Sequence, residues 1–106
     1  MKFSMVFVTT KDEAEAELIA EKLLERRPAA CCNIIPGVKS LFRWKGVTEK
    51  SPEAMLIIKT KRPIALKLAE EIRKLHSYEN PAIEVVDISG GSRDSMKWMR
   101  DETRMV

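Results

Sequence analysis

The stretch that decides the fold is AACCNIIPGVKSLFRWKGVTEKSPEAMLIIKT, from Ala29 to Thr60. Two apolar-rich arms, Cys31 to Trp44 and Ala54 to Thr60, flank a polar middle that contains Gly46 and Ser51-Pro52. Because β-branched and aromatic residues bounded by turn residues are typical of strands, the pattern predicts a long antiparallel hairpin. In the pair Pro36-Gly37 the proline lacks a ladder donor and the glycine tolerates unusual torsions, so we expect a bulge or bend within the first arm.

This hairpin is long for a chain of 106 residues. An arm from Ala30 to Trp44 approaches about 50 Å at roughly 3.3 Å per residue, whereas the radius of gyration of such a domain is about 13 Å. The hairpin should therefore overhang its own domain and expose strand edges and apolar side chains, which natural proteins cover. We expect another copy of the chain to cover them. The alternative is two short strands joined by an ordinary loop at Pro36-Gly37.

The composition predicts one domain over residues 1–106, since 44% of the residues are apolar and no linker or repeat is present. No apolar run approaches the roughly 20 residues that span a bilayer, and the opening MKFSMVFVTT has too short an apolar run for a secretory signal. We therefore expect a cytoplasmic protein with no membrane partner. The net charge is +3, but the basic residues form no stripe along the sequence and no RNP-type aromatic strand is present. We therefore expect no nucleic-acid partner.

Hydrophobic periodicity predicts the elements around the hairpin. The first is a strand at 3–8, followed by a helix with capping-box spacing at Thr10–Glu13 that stops at Pro28. After the hairpin come a helix that starts at Pro63 and ends around His76 to Pro81, a strand at Ile83–Ile88 and a turn at Gly90-Gly91. Last is a short helix that Ser92 or Asp94 can cap and that holds Met96, Trp98 and Met99. Two split βαβ halves of this kind make an α+β, ferredoxin-like (βαββαβ) sandwich with a long second hairpin and a short C-terminal helix. Helices then cover one face of the sheet, and apolar residues on the other face require a partner.

Cys31 and Cys32 are chain neighbours and, on a strand, point to opposite faces. Two adjacent cysteines do not form a disulfide framework, and from opposite faces they bind one metal together only with difficulty. A thiolate is a soft ligand that suits Cu(I) or zinc. The alternative is that each cysteine is a small buried apolar residue.

His76 is the only histidine, and it lies in HSYENP close to Tyr78 and Glu79. An imidazole, a phenol and a carboxylate near one another can bind a metal or move a proton. The alternative is a histidine that interacts with the last carbonyls of a helix, beside a tyrosine packed on the sheet. Because a closed zinc site has four ligands, a tight site here needs ligands from another segment or another subunit.

Lys59 ends the second arm and Trp44 ends the first. In a hairpin, such residues can meet a partner or a small anionic ligand; the alternative is a solvated lysine and a packing tryptophan. The sequence contains no GxGxxG, P-loop, HExxH, CxxC or GxSxG motif. We therefore expect no enzyme, and acid–base catalysis by His76, Tyr78 or Glu79 is the alternative.

The sequence resembles the CutA divalent-cation-tolerance family over nearly its whole length. The most specific segments are AACCNIIPGVKSLFRWKG at Ala29–Gly46, EAMLIIKT at Glu53–Thr60 and HSYENP at His76–Pro81. The resemblance implies a ferredoxin-like homotrimer, cytosolic in bacteria and archaea and linked to tolerance of copper and other divalent metals. A trimer agrees with the overhanging hairpin.

The resemblance also implies which residues carry the family's patterns. The cysteine of its AAC-V-N pattern corresponds to Cys31, with Cys32 where valine is usual, and its strand-ending lysine corresponds to Lys59. Its HPYE pattern corresponds to His76, Tyr78 and Glu79, with Ser77 in place of proline. Its aromatic-x-Trp-x-Gly pattern corresponds to Phe42, Trp44 and Gly46. Several of these residues lie in clefts between subunits in the family.

Two sites are therefore expected: a metal site, for copper or another divalent cation, at Cys31, His76 and Glu79, and a ligand cleft at Trp44, Lys59 and Tyr78. The first hypothesis is a homotrimeric, cytosolic, non-catalytic protein that binds copper. The alternative is a trimeric signalling or scaffold protein that resembles the nitrogen-regulatory PII proteins and holds a small ligand in its intersubunit clefts.

Overall fold

A computed structural model describes residues 2–104. Its elements are β1 (Phe3–Thr10), α1 (Glu13–Arg26), β2 (Cys31–Trp44), β3 (Val47–Lys61), α2 (Arg62–Leu75), β4 (Ile83–Ile88) and α3 (Arg93–Glu102). The four strands form one antiparallel sheet in the order β2-β3-β1-β4. This order and the βαββαβ succession confirm the α+β, ferredoxin-like fold with its long hairpin and its short last helix.

The hairpin is longer than its sequence pattern predicts, because β3 begins at Val47 rather than at Ala54. The strands are joined by Lys45 and Gly46 alone, whose φ angles of 49° and 82° are the two positive values of a type I′ turn. The second arm predicted at Ala54–Thr60 is therefore too short, and most of the polar middle is strand. These residues pair with β2 in an exposed two-stranded ribbon, and a ribbon without a core behind it needs no apolar alternation.

The predicted interruption of β2 is a one-residue bulge. Ile35 pairs with Met55 and Val38 with Glu53, so that Pro36 and Gly37 lie opposite the single residue Ala54. Gly37 has a φ of 71°, in the left-handed region where a side chain is strained. Because side chains alternate along a strand, the extra residue exchanges the two faces of β2 from Val38 onward.

The end of the hairpin projects from the body of the protein. β1 pairs only with residues 54–61 of β3, so residues 38–53, which we call the arm, have no third strand beside them. The molecule measures 44 × 25 × 22 Å with a radius of gyration of 14.2 Å. The expected overhang is therefore present, and the alternative of two short strands with a loop at Pro36-Gly37 is wrong.

The main core lies between the sheet and the layer made by α1 and α2. Its fully buried members include Val6 from β1, Leu56 and Ile58 from β3, and Leu68 and Ile72 from α2. A second, smaller cluster joins Phe3, Ala30 and Met99, so that α3 covers the Phe3 end of the opposite sheet face. We call the rest of that opposite face the open face. By strand register it presents the half-buried side chains of Met5, Phe7, Met55, Ile57, Lys59 and Cys31.

The helix ends follow local chemistry, with one correction. Asp12, not Thr10, is the N-cap of α1: its carboxylate accepts a 2.8 Å hydrogen bond from Glu15 N. Pro63 lies in the first turn of α2 as predicted, and that helix starts without a side-chain cap at Lys61. Ser92 is the N-cap residue of α3 by position, also without a side-chain hydrogen bond. Among residues 2–104, no helix combines the length and the apolar character needed to cross a membrane.

We expect Leu56→Ala to lower the free energy of unfolding by about 2–5 kcal/mol, because it leaves a cavity in a site with no solvent exposure. Leu66→Ala is the matched control, since Leu66 is 74% exposed on α2 and its truncation should cost less than about 0.5 kcal/mol. Urea unfolding at one fixed chain concentration measures both variants. Similar losses in the two variants would contradict the assigned core.

Candidate functional site

Cys31 and Lys59 are direct cross-strand neighbours on the open face. Side chains in such a pair have their Cβ atoms about 5 Å apart, so the thiol and the stem of the lysine side chain emerge from the sheet as neighbours. The Cys31 Sγ also donates a weak hydrogen bond of 3.7 Å to Asn33 Oδ1. Cys31 is half-buried in the single chain and is the more accessible of the two cysteines to a ligand arriving at the open face.

Cys32 points to the opposite side and packs against the main core. Burial, with a smaller contribution from Cys31, raises the pKa of the Cys32 thiol to about 12. Cys32 therefore stays protonated at neutral pH and acts as a small apolar residue, which fits one of the two interpretations left open by the sequence. The two cysteines point to opposite faces, as the strand pattern predicts.

The buried side chain of His76 is held by two backbone groups. Its Nε2 lies 2.8 Å from the carbonyl oxygen of Thr9 and must donate to it, while Nδ1 accepts a 3.0 Å hydrogen bond from Tyr78 N. This pair of bonds defines a neutral imidazole with its proton on Nε2. Because a metal needs a ring-nitrogen lone pair, and Tyr78 N already uses the one on Nδ1, the observed arrangement leaves no nitrogen of His76 open.

Glu15 links the start of α1 to the turn that follows α2. Its carboxylate accepts from Lys11 N at 3.0 Å and from Ser77 N at 2.8 Å, and it lies 4.0 Å from His76 Nδ1. Burial alone would raise the pKa of Glu15, but hydrogen bonds from Ser77 and Lys11 favour the charged form and leave the pKa lowered. The buried negative charge thus holds together two segments that are distant in the sequence.

Tyr78 joins the same turn to the base of the arm. Its hydroxyl donates a 2.7 Å hydrogen bond to Glu53 Oε2, and its ring centroid lies 4.7 Å from the ring centroid of His76. Burial raises the pKa of Tyr78, and the neighbouring carboxylate of Glu53 raises it further. The phenol therefore stays protonated at neutral pH and acts as a fixed hydrogen-bond donor.

The three predicted metal ligands do not meet within one chain. Cys31 lies level with Met5 across the sheet, whereas His76 binds Thr9, four residues or about 13 Å further along β1. Glu79 is exposed. Over residues 2–104, no three histidine, cysteine, aspartate or glutamate side chains come together in a way that could hold a metal ion. A site that used these residues would have to include groups from a second subunit.

The predicted ligand-cleft residues lie at three levels of the hairpin. Trp44 pairs with Val47 at the tip, Tyr78 contacts Glu53 at the base of the arm, and Lys59 lies in the body of the sheet. Six residues of β3, or about 20 Å, separate each level from the next. Trp44 is 55% exposed and has Lys45 Nζ 6.0 Å from its ring centroid. In one chain these residues therefore form no common cleft.

The arm has two unlike faces, a feature that the sequence analysis missed. One face, which we call the acidic–apolar face, carries the pairs Phe42–Glu49 and Trp44–Val47 and also Glu53. The reverse, which we call the cationic face, carries Lys39, Arg43 and Lys50. Alternating residues of Val47–Glu53 already carry this difference between the faces. It can be assigned to a face only when β3 is known to start at Val47 and the position of the bulge is known.

Glu15→Gln should destabilise the protein by about 1–2 kcal/mol at about pH 7, because the amide has one acceptor oxygen and cannot accept from both Lys11 N and Ser77 N. A carboxyl group with a lowered folded-state pKa contributes stability above its unfolded pKa and loses it as the pH falls through the folded pKa. The wild type should thus lose this contribution below the ordinary pKa range of glutamate. Urea unfolding from about pH 7 to about pH 3 should give converging stabilities, and a constant difference would contradict the assignment.

Comparisons with known proteins agree with this geometry. The model of the family described as CutA1 divalent ion tolerance protein matches residues 4–102. The divalent-cation tolerance protein CutA of Thermus thermophilus is 38% identical over 99 residues, which are 93% of this chain and 96% of the relative. The chloroplastic CutA protein of Arabidopsis thaliana is 32% identical over 94% of this chain, which spans 55% of that longer relative.

Solved structures have the same fold. The crystal structure of CutA1 from Oryza sativa superposes with a TM-score of 0.95 at 29% identity, covering 100% of this chain and 97% of that one. A protein from Archaeoglobus fulgidus, described as a periplasmic divalent cation tolerance protein, superposes with a TM-score of 0.91 at 34% identity, covering 94% and 97%. The resemblance carried by the hairpin and by HSYENP is thus confirmed, and the chain belongs to the CutA1 divalent ion tolerance protein family.

Proposed function

We propose that this protein is a cytoplasmic homotrimer that binds copper or another divalent cation, without catalysis, as part of tolerance to divalent metals. Membership in the CutA1 family supports the link to divalent cations. The observation that carries the proposal is the unpaired arm with its two unlike faces, because such an arm requires a partner and restricts what the partner can be.

The two arm faces favour contact between copies of the same chain. Phe42 and Trp44, 43% and 55% exposed, lie with two carboxylates on one face, and three cations lie on the other. A surface that meets its complement on the next copy makes a heterologous contact, which closes into a ring when the rotation allows it. Burial of the aromatic side chains then supplies the driving force, and pairing of opposite charges supplies the orientation.

A ring also explains how a metal site can form. Cys31 is the strongest candidate ligand, since its thiol faces the uncovered side of the sheet and a thiolate suits Cu(I). Glu79 is exposed and open to a neighbouring subunit. His76 would have to give up the hydrogen bond from Tyr78 N, at a cost of about 1 kcal/mol, before it could bind a metal. Cys31 and Glu79 are therefore placed before His76 in the proposed site.

Absence of catalysis is part of the proposal, for a local reason. Two of the three residues considered as acid or base are committed to other contacts: His76 has both ring nitrogens bonded, and the Tyr78 hydroxyl donates to Glu53. The third, Glu79, is exposed. A cytoplasmic location is supported by the free thiols of Cys31 and Cys32, which suit a reducing compartment. The relative from Archaeoglobus fulgidus is described as periplasmic. Under this proposal the two proteins occupy different compartments.

A small anionic ligand is the second candidate. Lys59 is half-buried and is the cross-strand neighbour of Cys31 on the open face, and a cation on that face favours an anion over a free metal cation. The protein would then be a scaffold or signalling protein similar to the PII proteins, with its ligand in the clefts between subunits.

Static light scattering at micromolar concentration should give three times the chain mass of 12.1 kDa. Trp44→Glu should reduce the mass, because it adds a carboxylate to the acidic–apolar face and removes its most exposed aromatic ring. Leu66→Glu introduces the same charge on α2, away from the arm, and should leave the mass unchanged. A wild-type monomer, or equal dissociation of both variants, would refute the proposed assembly.

Calorimetric titration with Cu(II), and with Cu(I) under reducing conditions, tests the metal site. We expect Cys31→Ala to weaken copper binding about tenfold or more, because loss of even an outer-shell partner of a metal ligand typically costs about 10- to 100-fold in affinity. Cys32→Ala is the matched control and should bind as the wild type does, since that thiol faces the core. Glu79→Ala should weaken binding with no change in circular dichroism. Equal affinity in all of these proteins would remove Cys31 and Glu79 from the site and leave the anionic ligand as the better hypothesis.

A further inference from the structure

A shallow groove runs between α1 and α2 on the outer side of the helix layer. Its floor is apolar: Leu75 of α2 is half-buried there, and Leu23, Ile64 and Leu68, which are 2%, 3% and 0% exposed, lie beneath it as part of the main core. No strand residue within 2–104 lines it, so it is separate from the arm and from the open face. Any binding there goes beyond the proposed metal function and does not depend on it.

The size of the groove restricts what can enter. Its volume is about 130 Å³. Cofactor and small-molecule sites usually have about 300–1,000 Å³. The groove therefore suits one aliphatic side chain presented by a larger molecule rather than a whole organic ligand.

The rim of the groove is positively charged. Lys22, Arg26 and Lys67 line it together with one carboxylate, Glu71. Arg26 Nη1 lies 3.3 Å from Glu71 Oε2, and this contact joins the two helices. Both side chains are partly exposed, at 58% and 30%, so the ion pair is weak and solvent-screened. An incoming group can exchange with it at little cost.

Glu71 has a second cation within reach. Its Oε1 lies 3.9 Å from Lys74 Nζ, one turn further along α2. If a carboxylate from another molecule takes the place of Glu71 on Arg26, Glu71 keeps a partner in Lys74. The exchange leaves no charge of this group unpaired.

We propose that the α1–α2 groove docks an acidic segment of another protein, which inserts one leucine-like side chain and places carboxylates on Arg26 and Lys22. The apolar floor selects the anchor, and the excess of cations on the rim selects the flanking charge. A bilayer fits less well, because a concave site of this size accepts one side chain rather than a flat surface. Nucleic acid fits less well, because the floor lacks polar groups and Glu71 lies on the rim.

The test uses the full chain and a short fluorescein-labelled peptide with one leucine between glutamates. Fluorescence anisotropy should show saturable binding that weakens with added salt. Replacing the peptide's leucine by serine should weaken binding about tenfold, as loss of one buried aliphatic group implies. Arg26→Glu and Lys22→Glu should each weaken it about tenfold, while Lys97→Glu, the same charge change on the exposed side of α3, should change it less than about twofold.

Any of the following three results would overturn the proposal. Equal binding of the leucine and serine peptides would show a purely electrostatic contact. Equal loss in Lys97→Glu would show dependence on net charge rather than on the groove. Peptide that fails to bind, with phosphatidylglycerol vesicles that co-sediment with the wild type but not with Arg26→Glu, would make the occupant a membrane. Circular dichroism and light scattering on each variant separate these outcomes from misfolding.

Discussion

The one-residue bulge opposite Ala54 is the constraint on which the surface of this protein depends. Before the bulge, the odd-numbered residues of β2 lie on the open face; after it, the even-numbered residues do. Without the extra residue, Phe42 and Trp44 would share a face with Lys50, and Arg43 would lie with Glu49. The bulge therefore separates aromatic and acidic side chains from basic ones, and the arm acquires two complementary surfaces from a single local change.

The arm also needs a rigid base, and the turn after α2 provides it. Tyr78 bonds to Glu53 at the point where β1 stops accompanying β3, so the last fixed contact of the body lies where the arm begins. Tyr78 N in turn bonds to His76, and Ser77 N bonds to the buried carboxylate of Glu15. A buried, satisfied network of this kind specifies one arrangement, because any displaced member leaves a polar group without a partner. The segment HSYENP thus has a structural role, which is to hold the turn after α2 against the base of the arm.

The fold could be predicted from the sequence because its signals are local. Hydrophobic periodicity predicted the helices, β-branched residues predicted β4 at Ile83–Ile88, and the pair Pro36-Gly37 predicted the bulge. The missed strand residues at 47–53 are polar because the arm has no core behind it, and hydrophobic alternation reports only on strands that face a core. The N-terminal cap was placed two residues early although the Asp12 to Glu15 spacing was present, since Thr10 offered the same pattern.

The site was less predictable, for a different physical reason. The partners of His76 are a carbonyl oxygen and an amide nitrogen of the backbone, which every residue carries, so no side-chain pattern identifies them. Ser77 and Glu15 are 62 residues apart and Tyr78 and Glu53 are 25 apart, distances over which one sequence gives no pairing signal. A histidine near a tyrosine and a glutamate suggests metal or proton chemistry only if its nitrogens are open. Here the fold uses them to fix a turn, and the thiol of Cys31 on the open face is left as the stronger candidate ligand.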